Sequence, residues 1–252
     1  MGAGVELRSA VVTDRAARDT NEDSAWAADG LYVVADGMGG HEAGEVASRV
    51  AIESVSVLAG AEPTLDDAGD VLREAHRRVR DLPAGGDRRP GTTLTGVVVT
   101  SRDGEPCWLV LNVGDSRTYR MVGGVLEQLT RDHSEVAELV AEGLLAVEDA
   151  AFHPRRHVVT RVLGGGSPSV EPDLWLFPVS QGDRMVVCSD GLTDVLTDAR
   201  IQAVLRVRTD VRDAAERLVR EALAAGAQDN VTVVVVDALA VTRTGVTDAA
   251  GR

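Results

Sequence analysis

Val33-Val34-Ala35-Asp36-Gly37-Met38-Gly39-Gly40-His41 decides how this chain is read. An apolar run ends in a carboxylate, glycines follow, and residues 42–48 begin a helical pattern, so a strand delivers Asp36 to the mouth of a turn. Strand, glycines and helix in that order would also suit a dinucleotide-binding turn. The spacing fails, because in the G-x-G beginning at Gly37 it is Glu42 that stands where the third small residue belongs. An ordinary Asp-Gly hairpin turn would suffice if Asp36 stood alone.

It does not stand alone. Four apolar runs finish in, or meet, an Asp in a tight turn: Val34-Ala35-Asp36-Gly37, Asn112-Val113-Gly114-Asp115-Ser116, Val187-Cys188-Ser189-Asp190-Gly191, and Gln228-Asp229-Asn230 just before Val231. If these strands lie side by side, their carboxylates converge at one rim. Bare carboxylates held together repel and take up protons. Hard divalent cations relieve that, and an all-oxygen donor set points to Mg²⁺ or Mn²⁺ rather than zinc. Two such ions can activate a bridging water and neutralise a phosphate, as in a binuclear phosphoesterase.

The composition narrows the choice. A formal net charge of -14 argues against nucleic acid, and seven aromatic residues are too few for a stacking platform. All 26 basic residues are arginine, so phosphate-loop NTPases and protein kinases, which need a lysine on the nucleotide, are excluded. Lysine-free, Ala/Arg/Val/Gly-rich usage also suggests a GC-rich bacterial genome. Cys107 and Cys188 sit in strand-like runs with neither knuckle spacing nor a disulfide framework, which fits a reducing cytoplasm. No signal peptide or long apolar span is evident, so no membrane association is expected.

At 252 residues without an internal linker, the expectation is one domain over residues 1–240, with a disordered tail at 241–252. Strands are expected at 5–13, at 24–29 and 31–36 (a hairpin across Asp29-Gly30), at 92–100, 106–113, 117–122 and 125–129 (an antiparallel meander), and at 171–179, 184–189 and 231–237. Helices are expected at 42–58, 65–82 and 211–225. Residues 130–166 interrupt the strands with a polar, partly helical insertion. This order suits an α+β layered domain, sheet packed on sheet with helices outside.

The chain resembles the bacterial branch of the metal-dependent serine/threonine protein phosphatases, the type 2C-like family, over about residues 5–238. The residues that carry the resemblance stand in family order: Arg18 with Asn21-Glu22-Asp23-Ser24, then 33–41, Gly91-Thr92-Thr93, 112–117, Leu129-Thr130-Arg131-Asp132-His133-Ser134, Cys188-Ser189-Asp190-Gly191-Leu192, and Gln228-Asp229-Asn230. The resemblance implies a four-layer α-β-β-α sandwich of two antiparallel sheets flanked by helix pairs, and two Mn²⁺ or Mg²⁺ ions at one end. Asp36 would bridge both metals, the Gly37 carbonyl would hold the first, and Asp190 and Asp229 would complete the second. Asp115 with Asp190 would offer a weaker third site. Glu22, Asp23 and Asn230 would form the surrounding support. Arg18 would clamp the substrate phosphate, a role that a guanidinium fork also suits chemically.

The implied reaction is hydrolysis of phosphoserine or phosphothreonine in proteins by a metal-bridging water, without a phosphoenzyme. The implied partners are phosphorylated proteins, Ser/Thr kinases and their substrates among them, met by a monomer. Met38 stands where some members carry a histidine after the Asp-Gly pair, and His41 is the candidate general acid, with metal-bound water as its rival. Residues 131–166 match the family's flap, with His157 where some bacterial relatives carry a metal-contacting serine. Two other readings stay within the family fold: a phosphatase dedicated to one partner-switching regulator, and a non-catalytic phosphoprotein-binding module. Other hydrolases fit poorly. Asp194 stands where a C-x₅-R phosphatase starting at Cys188 needs arginine, and no G-x-S-x-G elbow surrounds Ser116.

Overall fold

The computed structural model describes residues 4–39, 42–84, 89–150 and 152–243. Its strands are β1 (Gly4–Asp14), β2 (Asp23–Ala28), β3 (Leu31–Met38), β4 (Gly91–Thr92), β5 (Leu94–Arg102), β6 (Glu105–Val113), β7 (Arg117–Val122), β8 (Val125–Gln128), β9 (Leu163–Gly164), β10 (Asp173–Pro178), β11 (Arg184–Cys188) and β12 (Val231–Thr242). The helices are α1 (Glu42–Val55), α2 (Leu65–Arg80), α3 (Glu135–Ala141), α4 (Val147–Ala150), α5 (Asp190–Thr193), α6 (Asp198–Val207) and α7 (Val211–Ala224). One sheet runs β1-β12-β11-β7-β8; the other runs β10-β6-β5-β3-β4-β9, with β2 paired to β3. Every recorded pairing is antiparallel.

Strand periodicity explains the layers. In β3, Leu31, Val33 and Ala35 pack against α1 and α2, whereas Tyr32 and Val34 meet the opposite sheet. In β12, Val231, Val233 and Val235 pack beneath α6 and α7, and Val234 and Val236 face inward. Both faces of these strands are covered, which is why they read as continuous apolar runs. The alternation has a consequence for the site: Tyr32, Val34 and Asp36 share the inward row, so Asp36 emerges where the core between the sheets ends.

Helix ends follow local chemistry. Thr64 and Asp67 form a capping box at the start of α2, with Arg77, Arg78 and Arg80 in its last turn. Asp210 caps α7 through the Arg212 and Asp213 N–H groups. The turns Asp29-Gly30 and Asp103-Gly104 both take positive φ, as the tight hairpins require.

Three features differ from the sequence expectation. The four strands from 92 to 129 are not one meander: β5 and β6 lie in one sheet, β7 and β8 in the other, and the chain crosses at Gly114-Asp115-Ser116. Helix α6 was not anticipated, although Thr197 caps it and Ile201, Val204 and Leu205 are buried at helical spacing. Strand β12 continues to Thr242 because β1 pairs along its whole length, Gly4 opposite Thr242. Val241 and Thr242 therefore belong to the sheet, and the rest of the expected tail, from 244, lies outside the described residues.

Candidate metal centre

At one end of the sandwich a cleft of about 840 Å³ is lined by Asp36, Gly37, Asp115, Asp190, Asp229 and Arg18, among others. Asp36 closes the inward row of β3, Asp115 sits in the crossover between sheets, Asp190 begins α5 directly after β11, and Asp229 precedes β12. The four carboxylates expected to converge do converge.

Their backbones are pinned by neighbouring hydroxyls. The Asp36 N–H donates to Thr93 Oγ1 (3.0 Å), while Thr92 Oγ1 and the Thr93 N–H donate to the Asp36 carbonyl (2.8 and 2.9 Å). Thr93 Oγ1 also pairs with Ser116 Oγ at 2.8 Å, tying the β4–β5 junction to the crossover. These contacts give the Gly91-Thr92-Thr93 stretch a structural role.

The polar stretch before β2 is laced to the start of β12. Asn230 Oδ1 accepts the Glu22 N–H (2.7 Å), and its amide donates to the carbonyls of Arg15 and Thr20. Asp23 lies opposite Asp36 across the β2–β3 ladder and accepts from Ser189 Oγ at 2.8 Å. Gly37 is required sterically, since a Cβ there would lie 2.2 Å from the Gly44 carbonyl oxygen and 2.6 Å from that of Glu22. Arg18 reaches over the rim, its Nη2 2.6 Å from Asp229 Oδ2, with both side chains partly exposed.

Electrostatics mark this end as uncompensated. Burial pushes the Asp36 carboxyl well above the usual range, and the charges of Asp23, Asp190, Asp115 and Asp229 push the same way. Asp190 is raised by burial and by Asp115, Asp194 and Asp229, and lowered by a hydrogen bond with Asp36. Asp115 is pushed up to about 7, by burial first and Asp132 next. Asp23 reaches about 6 by burial, against hydrogen bonds from Thr232 and Ser189. Asp23 Oδ1 and Asp190 Oδ1 are buried with no hydrogen-bond partner. Crowded carboxylates, orphaned oxygens and an all-oxygen donor set fit hard divalent cations, which would supply the missing positive charge.

His41 lies outside the described residues. Asp194 was not anticipated as part of the site, yet it lines the cleft and bonds back to Asp190 one helical turn earlier. The spacing of Asp190 and Asp194 was the available signal. In the insertion, Ser134 pairs with Val159 in an isolated bridge, and His157 Nδ1 comes 3.4 Å from Asp194 Oδ2.

Comparison with known proteins gives this site a lineage. The family model for protein phosphatase 2C matches residues 8–229. The chain belongs to the protein phosphatase 2C family. Serine/threonine protein phosphatase PstP of Mycobacterium tuberculosis is 41% identical over 241 residues, covering 92% of the chain. The chain spans 45% of that relative's length. The crystal structure of the M. tuberculosis serine/threonine phosphatase PstP/Ppp superposes with a TM-score of 0.85 at 37% identity, over 93% of this chain and 99% of that one. The PstP catalytic domain solved with two manganese ions has a TM-score of 0.81 at 37% identity, over 93% and 99%. These likenesses bear out the expected family and the expected sandwich of two antiparallel sheets with helices outside.

Proposed function

We propose that this phosphatase 2C domain hydrolyses phosphoserine and phosphothreonine in proteins, using two Mn²⁺ or Mg²⁺ ions. The observation that carries the reading is the meeting of Asp36, Asp115, Asp190 and Asp229 in one cleft with Arg18 at its rim. Asp36 and the Gly37 carbonyl would hold the first ion, and Asp36, Asp190 and Asp229 the second; Asp115 with Asp190 would offer a weaker third position. When bound, the ions supply charge against the phosphate and acidify a water for attack on phosphorus.

The remaining work falls to the chain's own groups. Glu22, Asp23 and Asn230 fix the loops that carry the ligands, as the bonds from Asn230 to Glu22, Arg15 and Thr20 illustrate. Arg18 turns from Asp229 to the substrate phosphate. An exposed ion pair of this kind is worth at most about 1 kcal/mol, so the exchange is cheap. A guanidinium fork on two phosphate oxygens then orients the monoester for in-line displacement. His41 is the candidate proton donor to the departing serine or threonine oxygen.

The natural substrates would be phosphorylated proteins, including Ser/Thr kinases and their targets, met by a monomer in a bacterial cytoplasm. Among the described residues, no helix is long and apolar enough to cross a membrane. Phosphate release from a phosphothreonine peptide tests the reading. Turnover is expected with Mn²⁺ or Mg²⁺, and is lost with chelator and in Asp190→Asn. Peptide binding without turnover by the metal-loaded wild type would overturn it in favour of a binding module.

A further inference from the structure

Asp115 reaches the cleft from a crossover that belongs to neither sheet, so something outside the strand ladders must set its place. Gly114, just before it, has a φ of 112°, and a Cβ there would lie 2.5 Å from Thr93 Cγ2, so glycine is required. The crossover therefore has no side chain at that point with which to anchor itself. On the far side of Asp115, Ser116 Oγ is held by Thr93 Oγ1 at 2.8 Å. On the near side the hold is His133.

His133 grips both polar groups of Gly114. Its backbone N–H donates to the Gly114 carbonyl (2.9 Å), and the Gly114 N–H donates to its ring Nδ1 (3.0 Å). Any residue at 133 could supply the first bond; only a side-chain acceptor placed like Nδ1 supplies the second. The ring is buried, and burial pulls its pKa below the ordinary value, leaving Nδ1 free to accept. The proton then sits on Nε2, which donates to Asp173 Oδ2 at 3.1 Å. Arg161 Nη1 also lies 3.0 Å from Nε2, but two donors do not bond each other, and its hydrogens serve Asp173 Oδ1 and the Glu171 carbonyl, both at 2.8 Å. Asp173 fixes the tautomer of His133, and Arg161 fixes Asp173.

We propose that His133 is a positioning residue for Asp115: its ring holds the Gly114 N–H, which keeps the Asp115 carboxylate aimed at the weaker third ion position beside Asp190. This deepens the phosphatase reading and rests on it, since the third position is part of that reading. Amide exchange in the metal-free protein tests the clamp apart from it.

Asn and Gln separate the two ring contacts, because Asn Oδ1 is bonded to Cγ as Nδ1 is, whereas Gln carries its polar atoms one bond farther out, near the place of Nε2. In the metal-free full chain, NMR-detected exchange of the Gly114 amide should be about tenfold faster in His133→Gln than in the wild type, the scale of one lost hydrogen bond, and His133→Asn should restore most of the protection. With Mn²⁺ titrated in and the free ion followed by EPR, His133→Gln should hold the weaker ion about tenfold less tightly, with the two tighter ions unchanged and His133→Asn close to the wild type. Asp173→Ala leaves the ring in place but free to turn, so it should shift both readouts the same way by less, and it decides the matter if His133→Gln does not fold. Wild-type exchange and third-ion affinity in Asp173→Ala or in His133→Gln, equal behaviour of the Asn and Gln variants, or weakening of all three ions together overturns the proposal. The expected pattern in a protein that shows no turnover supports the clamp and sinks the phosphatase reading alone.

Discussion

Strand β11 has an aspartate just beyond each end, and the two are treated in opposite ways. Asp183, before Arg184, is fully buried, yet Arg120 Nη2 reaches both its oxygens at 2.8 and 2.9 Å. Trp108 Nε1 (3.1 Å) and the Ser180 N–H (2.8 Å) complete its hydrogen bonds. Asp190, roughly 20 Å farther along at strand rise, faces Asp36, Asp115, Asp194 and Asp229 and keeps an oxygen without a partner. One buried acid is satisfied within the fold; the other is satisfied only by something the chain does not itself contain. A buried charge with its own cation fixes structure, and one without it marks a place where a ligand binds.

Substitution at the two ends should separate the roles. Asp36→Asn should lower turnover by on the order of 10²–10³ or more, the scale of losing one preorganised charged group in a transition state. Its metal-free melting temperature should hold or rise, because one repelling charge has gone. Phosphate-release assays and thermal melts on the same sample check both halves, and a large fall in stability without loss of turnover would erase the contrast.

At the other end, Arg120→Ala should cost about 3–5 kcal/mol of stability, the usual penalty for stranding a buried charge. Turnover per folded molecule should stay near wild type. Denaturant unfolding and active-site-normalised rates would measure this. Asp183 is the harsher test of the idea, since its carboxyl is also the anchor for Trp108 and Ser180.

Much of this contrast can be read in the sequence, and part cannot. Asp36, Asp115, Asp190 and Asp229 announce themselves because each follows or precedes an apolar strand, and a strand end is a local signal. The satisfied state of Asp183 is not local: Arg120 and Trp108 come from strands in different sheets, and only the packed order β11-β7 and β6 brings them together. The same applies to Arg18 and Asp229, 211 residues apart. Asp194 and α6 lie in one short stretch after β11, where a four-residue helical turn and a ten-residue helix give too few periods to stand out. The crossover at 114–116 escapes because a turn between sheets has the same residues as a turn within one.

Arg18 offers a smaller, sharper test within the cleft. Its ion pair with Asp229 is exposed, so Arg18→Ala should leave stability within about 1 kcal/mol of wild type. Steady-state kinetics should show a rise in KM, a fall in kcat/KM, or both, since the lost fork contacts the phosphate in ground and transition states. Arg18→Lys should recover only part of the loss, because an ammonium cannot make the two-pronged contact. Full recovery by lysine would reduce Arg18 to a general source of positive charge.

The smallest expected effect is a pH slope that belongs to the uncompensated end alone. Asp23 and Asp115 have folded values of about 6 and about 7, above the ordinary 3.8, so between these limits the folded state binds more protons than the unfolded one. Stability linked to these groups is therefore full below pH 3.8 and declines as pH rises through 6 and 7. In chelator, the melting temperature should fall from pH 5 to pH 8. With Mn²⁺ the ions take the place of the protons, and the slope should flatten or reverse. Asp36→Asn should flatten it in chelator too, by removing a carboxyl that burial and its acidic neighbours hold well above the ordinary value and that titrates with the cluster. If the chelated wild type instead gains stability across that range, the cluster is already neutralised from within, and the distinction between the two ends of β11 fails.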